Sequence, residues 1–547
     1  MANLSEKLVS IIKEVLTNKY QFNDLNNLTM IEIPKDNSFG DYSTNIAMRL
    51  VKVLGKNPQV IANELKEELE KNPLIEKVVV AGPGFINLFL ARDEITTVIK
   101  KIIKEDENYG RSDLGNNEKI MVEYVSANPT GDLHLGHARG AAYGDTLTRI
   151  LKFCGYDCLR EYYVNDAGNQ IKVLGDSLFE RYKEALGLPF DLEKIGYQGK
   201  DIKDLALKLI EEDGNKYLDL KEEERNDFFQ RTGSKLELDK IKVDLDLYRV
   251  GFDHYQSELD LYRKGKVENV LKELKASPLT YEKDGALWLK TTEFGDDMDR
   301  VLIKSDKTLT YLAPDLAYHK DKFDRGYSAL IDLFGADHHG YLVRLRAGLE
   351  VLGYDSKKLD FLIVQIVRLM EDGKEVKMSK RTGNAVTIRE LCEDVGVDVA
   401  RYFFISRPID SHLDFDLNLA RKQSNDNPVY YIQYAYARMN SILNKYSQYS
   451  LLETYPLLNS DKEIDLIKHL DDFKNTIEEI SKSKEVNKLA NYNYKLAQLF
   501  HSYYNASLII DLENIELTKQ RIALIKAVMI VIRNGLNLLG IEAREKM

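Results

Sequence analysis

Residues 119–151 read KIMVEYVSANPTGDLHLGHARGAAYGDTLTRIL. The first part alternates as a strand, with Met121, Glu123 and Val125 on one face and Val122, Tyr124 and Ser126 on the other. Asn128-Pro129-Thr130-Gly131-Asp132 breaks the pattern with turn formers, and a helix begins near His134. Strand, turn, helix is how an open parallel sheet presents a nucleotide site, because helix N-terminal amides point outward and favour anionic phosphate. His134-Leu135-Gly136-His137 puts two imidazoles on one side of the first turn. The glycine between them lets a flat base lie against bare backbone. The stretch matches neither a Walker A loop nor a GxGxxG fingerprint. It predicts an α/β fold built on a Rossmann-like parallel sheet.

Outward from this stretch the chain divides into three. Residues 1–110 read as a small α+β domain: an amphipathic helix on Leu4, Leu8, Ile11, Ile12 and Val15, two more helices over 46–54 and 60–69, and strands at 78–80 and 85–90. On the last strand Phe85, Asn87 and Phe89 share one face, expected to look toward solvent, where they could stack on an unpaired base. An ordinary sheet edge is the plainer reading of the residues alone. The sheet domain spans 111–395. Within it a charged, mainly helical insertion over about 172–280 is expected to stand apart from the core sheet. From 396 to 547 only helical spacing is seen, as in Ile525, Val528, Met529, Ile532 and Leu536, which predicts an all-α bundle.

A net charge of −11 excludes a general nucleic-acid coating protein but not a selective RNA partner held by local Lys/Arg clusters. No apolar run approaches 18 residues, so no membrane span and no membrane partner are expected. The N-terminus does not look like a targeting peptide. Cys154, Cys158 and Cys392 lack partners for a zinc site and read as free thiols in a reducing cytoplasm.

Two elements carry candidate chemistry. His134 and His137 suit charge developing on an α-phosphate. A metal site is the alternative, but HxxH lacks the acid and third ligand of HExxH. Lys377 and Lys380 flank Met378-Ser379 in a glycine-bounded loop that could close over a triphosphate. A solvated surface pair is the plain alternative. The Asp337-His338-His339 turn reads either as a nucleotide contact or as a helix cap, and Asn165, Asp166 and Gln170 as pocket wall.

HLGH at 134–137 and KMSK at 377–380 resemble the two signatures of class I aminoacyl-tRNA synthetases. ADHHGY at 336–341, the Tyr311…Asp315 helix start, KMSKRTGN, residues 397–420 and NPVYYIQYAYAR at 427–438 narrow the resemblance to the arginyl-tRNA synthetases. FGDYSTNIA and GPGFINLFL are similar to that family's extra N-terminal tRNA-binding domain, and the bundle to its anticodon-binding domain. The resemblance implies ATP-dependent ligation of L-arginine to its tRNA through an arginyl-adenylate, in a cytoplasmic monomer. Mg²⁺ is then borne by ATP rather than by a dedicated protein site. His134, Gly136, His137, Asp337, His338, Lys377, Met378, Ser379 and Lys380 are implied for ATP, with His134, His137, Lys377 and Lys380 catalytic.

For arginine the implied set is Glu123, Asn128, Tyr311, Asp315 and Gln365. A guanidinium needs carboxylates for paired hydrogen bonds and a flat neighbour. Asp315 with Glu123 would supply charge, Tyr311 a ring, and Asn128 and Gln365 a hold on the α-amino group. For tRNA the candidates are Phe85, Asn87, Tyr430, Tyr434 and Arg438, with Tyr431 and Tyr436 beside them. Asp132 where proline is common, Arg381 closing the second signature and Pro314 in the Tyr-to-Asp spacing are departures that remove no functional group. A synthetase-like RNA binder that no longer charges tRNA, and a class I synthetase for another amino acid, are the readings left to exclude.

Overall fold

The structure is a computed structural model describing residues 3–22, 31–34, 36–336, 340–376 and 386–547. Its centre is a five-stranded parallel sheet. The strands are β1 (Lys119–Glu123), β2 (Asp157–Val164), β3 (His254–Ser257), β4 (Ala329–Gly335) and β5 (Leu359–Val364). Their spatial order is β5-β4-β1-β2-β3. In register, Glu123 at the end of β1 lies between Asp332 of β4 and Glu161 of β2. The C-terminal ends of the strands, where open α/β sheets bind ligands, therefore bring residues from distant parts of the chain together.

β1 stops at Glu123 because the backbone turns left-handed, at φ +69° in Val125 and +41° in Ser126. This is a costly conformation for a β-branched residue and is typical of a site held by its surroundings. Helix α1 (Leu135–Phe153) then runs back to β2. It is buried on most of its surface, and Gly144 lies against the Tyr124 ring, where any Cβ would collide. Small residues let this helix lie close to the sheet.

The expected insertion is corrected at one point. Helices Asn169–Ala185, Lys200–Asp213 and Glu222–Leu247 do form a satellite unit with its own core around Leu174, Leu178, Tyr182 and Phe229. But His254–Ser257 within it is the edge strand of the central sheet. His254-Tyr255-Gln256-Ser257 has no β-branched residue and no apolar/polar alternation to declare a strand.

At the N-terminal end, strands Ile31–Glu32, Tyr42–Thr44, Phe85–Leu90 and Ile75–Ala81 form an antiparallel sheet in that order, backed by helices Leu4–Tyr20 and Pro58–Leu69. The C-terminal part is helical, with α2 (Pro428–Lys445) and α3 (Ile515–Leu539) among its helices. One strand after residue 396 breaks the all-α expectation: Leu413–Asp416 pairs in parallel with Val367–Glu371. In α3 Lys526 and Arg533 interrupt the apolar residues, so the helix carries no uninterrupted apolar run of 18 residues. The helix has 25 residues, and its most apolar 18-residue window has mean hydropathy 1.7 and is 78% buried within the protein. A largely apolar, buried helix is what the centre of a bundle requires.

Candidate functional site

His134 is the N-cap of α1. Its Nδ1 accepts the Gly136 amide at 3.2 Å, and His137 Nδ1 accepts the His134 amide at 3.3 Å. With both Nδ1 atoms accepting, each neutral ring carries its proton on Nε2. The rings stack at 3.8 Å between centroids. Burial lowers both imidazoles, and His137, beside His134, falls to about 3. At neutral pH this helix start thus offers two uncharged N–H donors at the positive end of a helix dipole.

Lys377, Met378, Ser379 and Lys380 lie outside the described residues, as do Asp337 and His338. The described residues flanking 377–385 are tied to the site. On one side Val376 donates its amide to Leu369 O at 2.7 Å. On the other, Thr387 bridges to His134 and Ile388 donates to Leu133 O at 2.8 Å. Gln365 follows β5, and its backbone is locked: its amide bonds Ile409 O, and its carbonyl accepts from the buried Arg139 at 3.0 Å.

The other residues expected around arginine lie on separate elements. Asp315 lies in the first turn of the helix Leu312–Asp324, with its carboxylate accepting from the Tyr341 hydroxyl. Tyr311, the N-cap, is 83% exposed. Asn128 is exposed and donates to Gln170 Oε1 at 2.9 Å. Glu258 was not anticipated. It opens the short helix Glu258–Arg263 directly after β3, which Ser257 caps and Asp166 anchors through Ser257 Oγ at 2.6 Å and the Leu259 amide at 2.9 Å. Burial, then the charge of Asp315, pushes the Glu258 carboxyl up to about 7. The signal available in the sequence was an acid just after a strand end, hidden because that strand was read as part of the insertion.

Beneath these residues lies a buried ionic layer. Glu123 Oε1 accepts from Ser126 Oγ at 2.8 Å, while Oε2 takes the ammonium of Lys322. Lys322 also donates to Asp332 Oδ1 at 2.8 Å. His319 Nε2 lies 2.7 Å from Asp332 Oδ2, and its Nδ1 lies 2.8 Å from the Asp315 carbonyl. Burial pushes Glu123 up. Burial works against the Lys322 charge too, but Asp332 and Glu123 hold that ammonium above the ordinary lysine range. Glu123, expected to supply charge to a guanidinium, thus already shares its charge with the Lys322 ammonium. Glu123, His319 and Asp332 offer ligand atoms within 4.8 Å of one another, as a metal site would. Lys322 already bridges two of them, so a dication there would meet an ammonium.

On α2, Tyr430 and Tyr434 stack at 6.1 Å and 17°. Arg438 donates to the Tyr434 hydroxyl at 2.6 Å, and its guanidinium lies 4.5 Å from the Tyr434 ring and 4.7 Å from that of Tyr504. These side chains are half-buried, whereas Tyr436 turns into the core. In the N-terminal sheet Phe85 is exposed, but Asn87 is 5% exposed and accepts from Ser43 Oγ at 2.8 Å. The solvent-side expectation for Asn87 is thereby corrected. Its strand runs between two others, so the carboxamide is spent on a cross-strand bond.

Residues 98–404 match the model of the class I (R) tRNA synthetase catalytic domain, the class that the parallel sheet and its histidine-capped helix define. Residues 6–90 match the arginyl-tRNA synthetase N-terminal domain, and 432–547 the DALR anticodon-binding domain. The chain is 51% identical to the arginine–tRNA ligase of Shouchella clausii and 50% identical to that of Listeria monocytogenes, in each case over 95% of this chain and 94% of the relative. The arginyl-tRNA synthetase of Thermus thermophilus superposes over the full length of both chains with a TM-score of 0.77 at 23% identity, a likeness of fold. The chain belongs to the arginyl-tRNA synthetase family.

Proposed function

We propose that arginine is bound here by its guanidinium between Asp315 and Glu258, and is activated by ATP lying on the His134–His137 helix start. The overall activity, arginine–tRNA ligation, goes with the family. The observation that carries the pocket reading is the charge around Glu258. Burial and the negative charges of Asp315 and Asp166 oppose ionisation of Glu258, and a bound guanidinium offsets both. Asn128 and Gln365 hold the α-amino group, and Tyr311 covers the guanidinium. The arginine carboxylate attacks the α-phosphate in line, pyrophosphate leaves, and the 2′-OH of the terminal adenosine of tRNA takes the arginyl group from the adenylate.

The two Nε2–H donors and the α1 amides meet the charge growing on the α-phosphate, while Lys377 and Lys380 neutralise the leaving phosphates and Asp337 and His338 hold the nucleoside. Mg²⁺ travels on the phosphate oxygens, its usual ligands. Tyr430, Tyr434 and Arg438 stack on unpaired anticodon-loop bases, with Phe85 a second RNA contact. The protein works as a monomer in the cytoplasm, a setting consistent with three buried free thiols.

The test is Asp315→Asn in ATP–pyrophosphate exchange. Loss of one counter-charge costs about 3 kcal/mol, so the arginine KM rises roughly 10²-fold while the ATP KM holds. An unchanged arginine KM sinks the pocket assignment.

A further inference from the structure

Tyr163 stands at the C-terminal end of β2, between the ends of β1 and β3. Its amide donates to Ser126 Oγ at 3.1 Å, the same hydroxyl that donates to Glu123. On its other side it pairs in register with Gln256, one residue before the Val164–Ser257 pair that precedes Glu258. Its ring packs on Tyr318 at 4.4 Å between centroids. The residue is 8% exposed, and its hydroxyl stands beside the Glu258 carboxylate without closing a hydrogen bond of ordinary geometry among the described residues. A buried hydroxyl without a partner is uncommon and calls for a ligand or an ordered solvent molecule. The charges that act on this one belong, in order of strength, to Glu258, Asp315 and Glu123. The tyrosine is therefore aimed into the volume that the two pocket carboxylates face.

A guanidinium carries five N–H donors in a fixed plane. Two carboxylates in paired geometry take at most four, and the fifth, if buried, needs a neutral acceptor. A phenol can accept that N–H with its lone pairs while giving its own proton to a neighbouring carboxylate.

We propose that Tyr163 is a specificity-determining residue for arginine, its hydroxyl accepting one guanidinium N–H and donating to Glu258. This rests on the reading of Asp315 and Glu258 as the guanidinium pocket. It also gives Tyr163 a second effect. As a donor to Glu258 it favours the ionised carboxylate, opposing the burial and the Asp315 charge that push that carboxyl up.

The experiment is Tyr163→Phe in the full-length protein, which keeps the ring on Tyr318 and the backbone bond to Ser126. Arginine KM, ATP KM and kcat are measured by ATP–pyrophosphate exchange with tRNA present, arginine Kd by calorimetry, and both arginine constants from pH 6 to 8, with Asp315→Asn alongside. The expected result is an arginine KM and Kd raised about tenfold, an unchanged ATP KM, an unchanged melting temperature, and a pH midpoint for arginine binding moved upward. An arginine KM within twofold of wild type, with Asp315→Asn still impaired, overturns the role of Tyr163 alone. If Asp315→Asn is unimpaired as well, the pocket reading falls with it. Equal rises in ATP and arginine KM, or a lowered melting temperature with an unmoved pH midpoint, make Tyr163 a packing residue and overturn the proposal.

Discussion

Arginine affinity is expected to depend on pH through Glu258. In the free protein its carboxyl is pushed up to about 7, by burial first and then by Asp315. Below that pH the free protein holds the proton, and a bound cation requires it to leave, so arginine binding weakens as pH falls. If only the ionised form binds, the apparent KM scales as one plus ten to the power (7 − pH). It is about 1.1 times its limit at pH 8, about 2 times at pH 7 and about 11 times at pH 6, roughly a tenfold rise over two pH units. The same shift appears in stability. A carboxyl raised from 4.5 to about 7 makes the folded state lose stability as pH rises through that window, by up to about 3 kcal/mol, and bound arginine restores it. The assay is ATP–pyrophosphate exchange at saturating ATP and constant ionic strength. Arginine calorimetry without ATP separates this carboxyl from the nucleotide's own protonation. Glu258→Gln should raise KM at pH 8 and flatten the slope. A flat wild-type profile from pH 6 to 8, or a slope that survives in the Gln variant, refutes the reasoning.

Two further outcomes follow from the same geometry. Lys322→Met leaves Glu123 and Asp332 buried without their cation and should destabilise by about 3–5 kcal/mol. It should lower the melting temperature at pH 7, with part of the loss recovered at acid pH where the carboxylates protonate. An unaltered melting temperature would mean that Lys322 does not hold this layer together. Tyr434→Ala should raise the tRNA KM about tenfold, since stacking on one base is worth about 1–3 kcal/mol, while arginine Kd measured without tRNA stays put. An unchanged tRNA KM would assign the tyrosine stack to packing alone.

The elements legible in the sequence were those with long periodic signals or strong punctuation. The strand–turn–helix at 119–153 needed only alternation, Asn128-Pro129 and the small-residue helix. The observed cap differs from expectation only in its mechanism, with two histidines accepting backbone amides in the places that Ser and Glu commonly fill. What stayed hidden was decided by partners far along the chain. Glu123 reads as a pocket carboxylate, and its pairing with Lys322, 199 positions away, leaves no local sign. The strand His254–Ser257 has no β-branched residue or apolar/polar alternation and is a strand because β2 offers it an edge. With that strand unread, Glu258 had no reason to stand out among the acids around it. Asn87 shared a face with two phenylalanines, but nothing local says that Ser43 sits opposite.

The site holds acids at two depths, and the depths are treated differently. In the lower layer each carboxylate meets a cation of the protein: Glu123 and Asp332 share Lys322, and Glu161 takes Arg325 in a paired contact at 2.6 and 2.8 Å. Against burial, Arg325 and His254 hold Glu161 at about 2. In the upper layer burial and the charge of Asp315 push the Glu258 carboxyl up to about 7. Removing the lower cations would spread negative charge through the whole volume, so that a guanidinium could settle at either depth. Selectivity on this account comes from neutralising the floor, so that the guanidinium is drawn to the acids above it. Val125 and Ser126 adopt left-handed backbone where the two layers meet. That turn brings the Ser126 hydroxyl to Glu123 below and to the backbone of Tyr163 above, so the strain holds the layers in register.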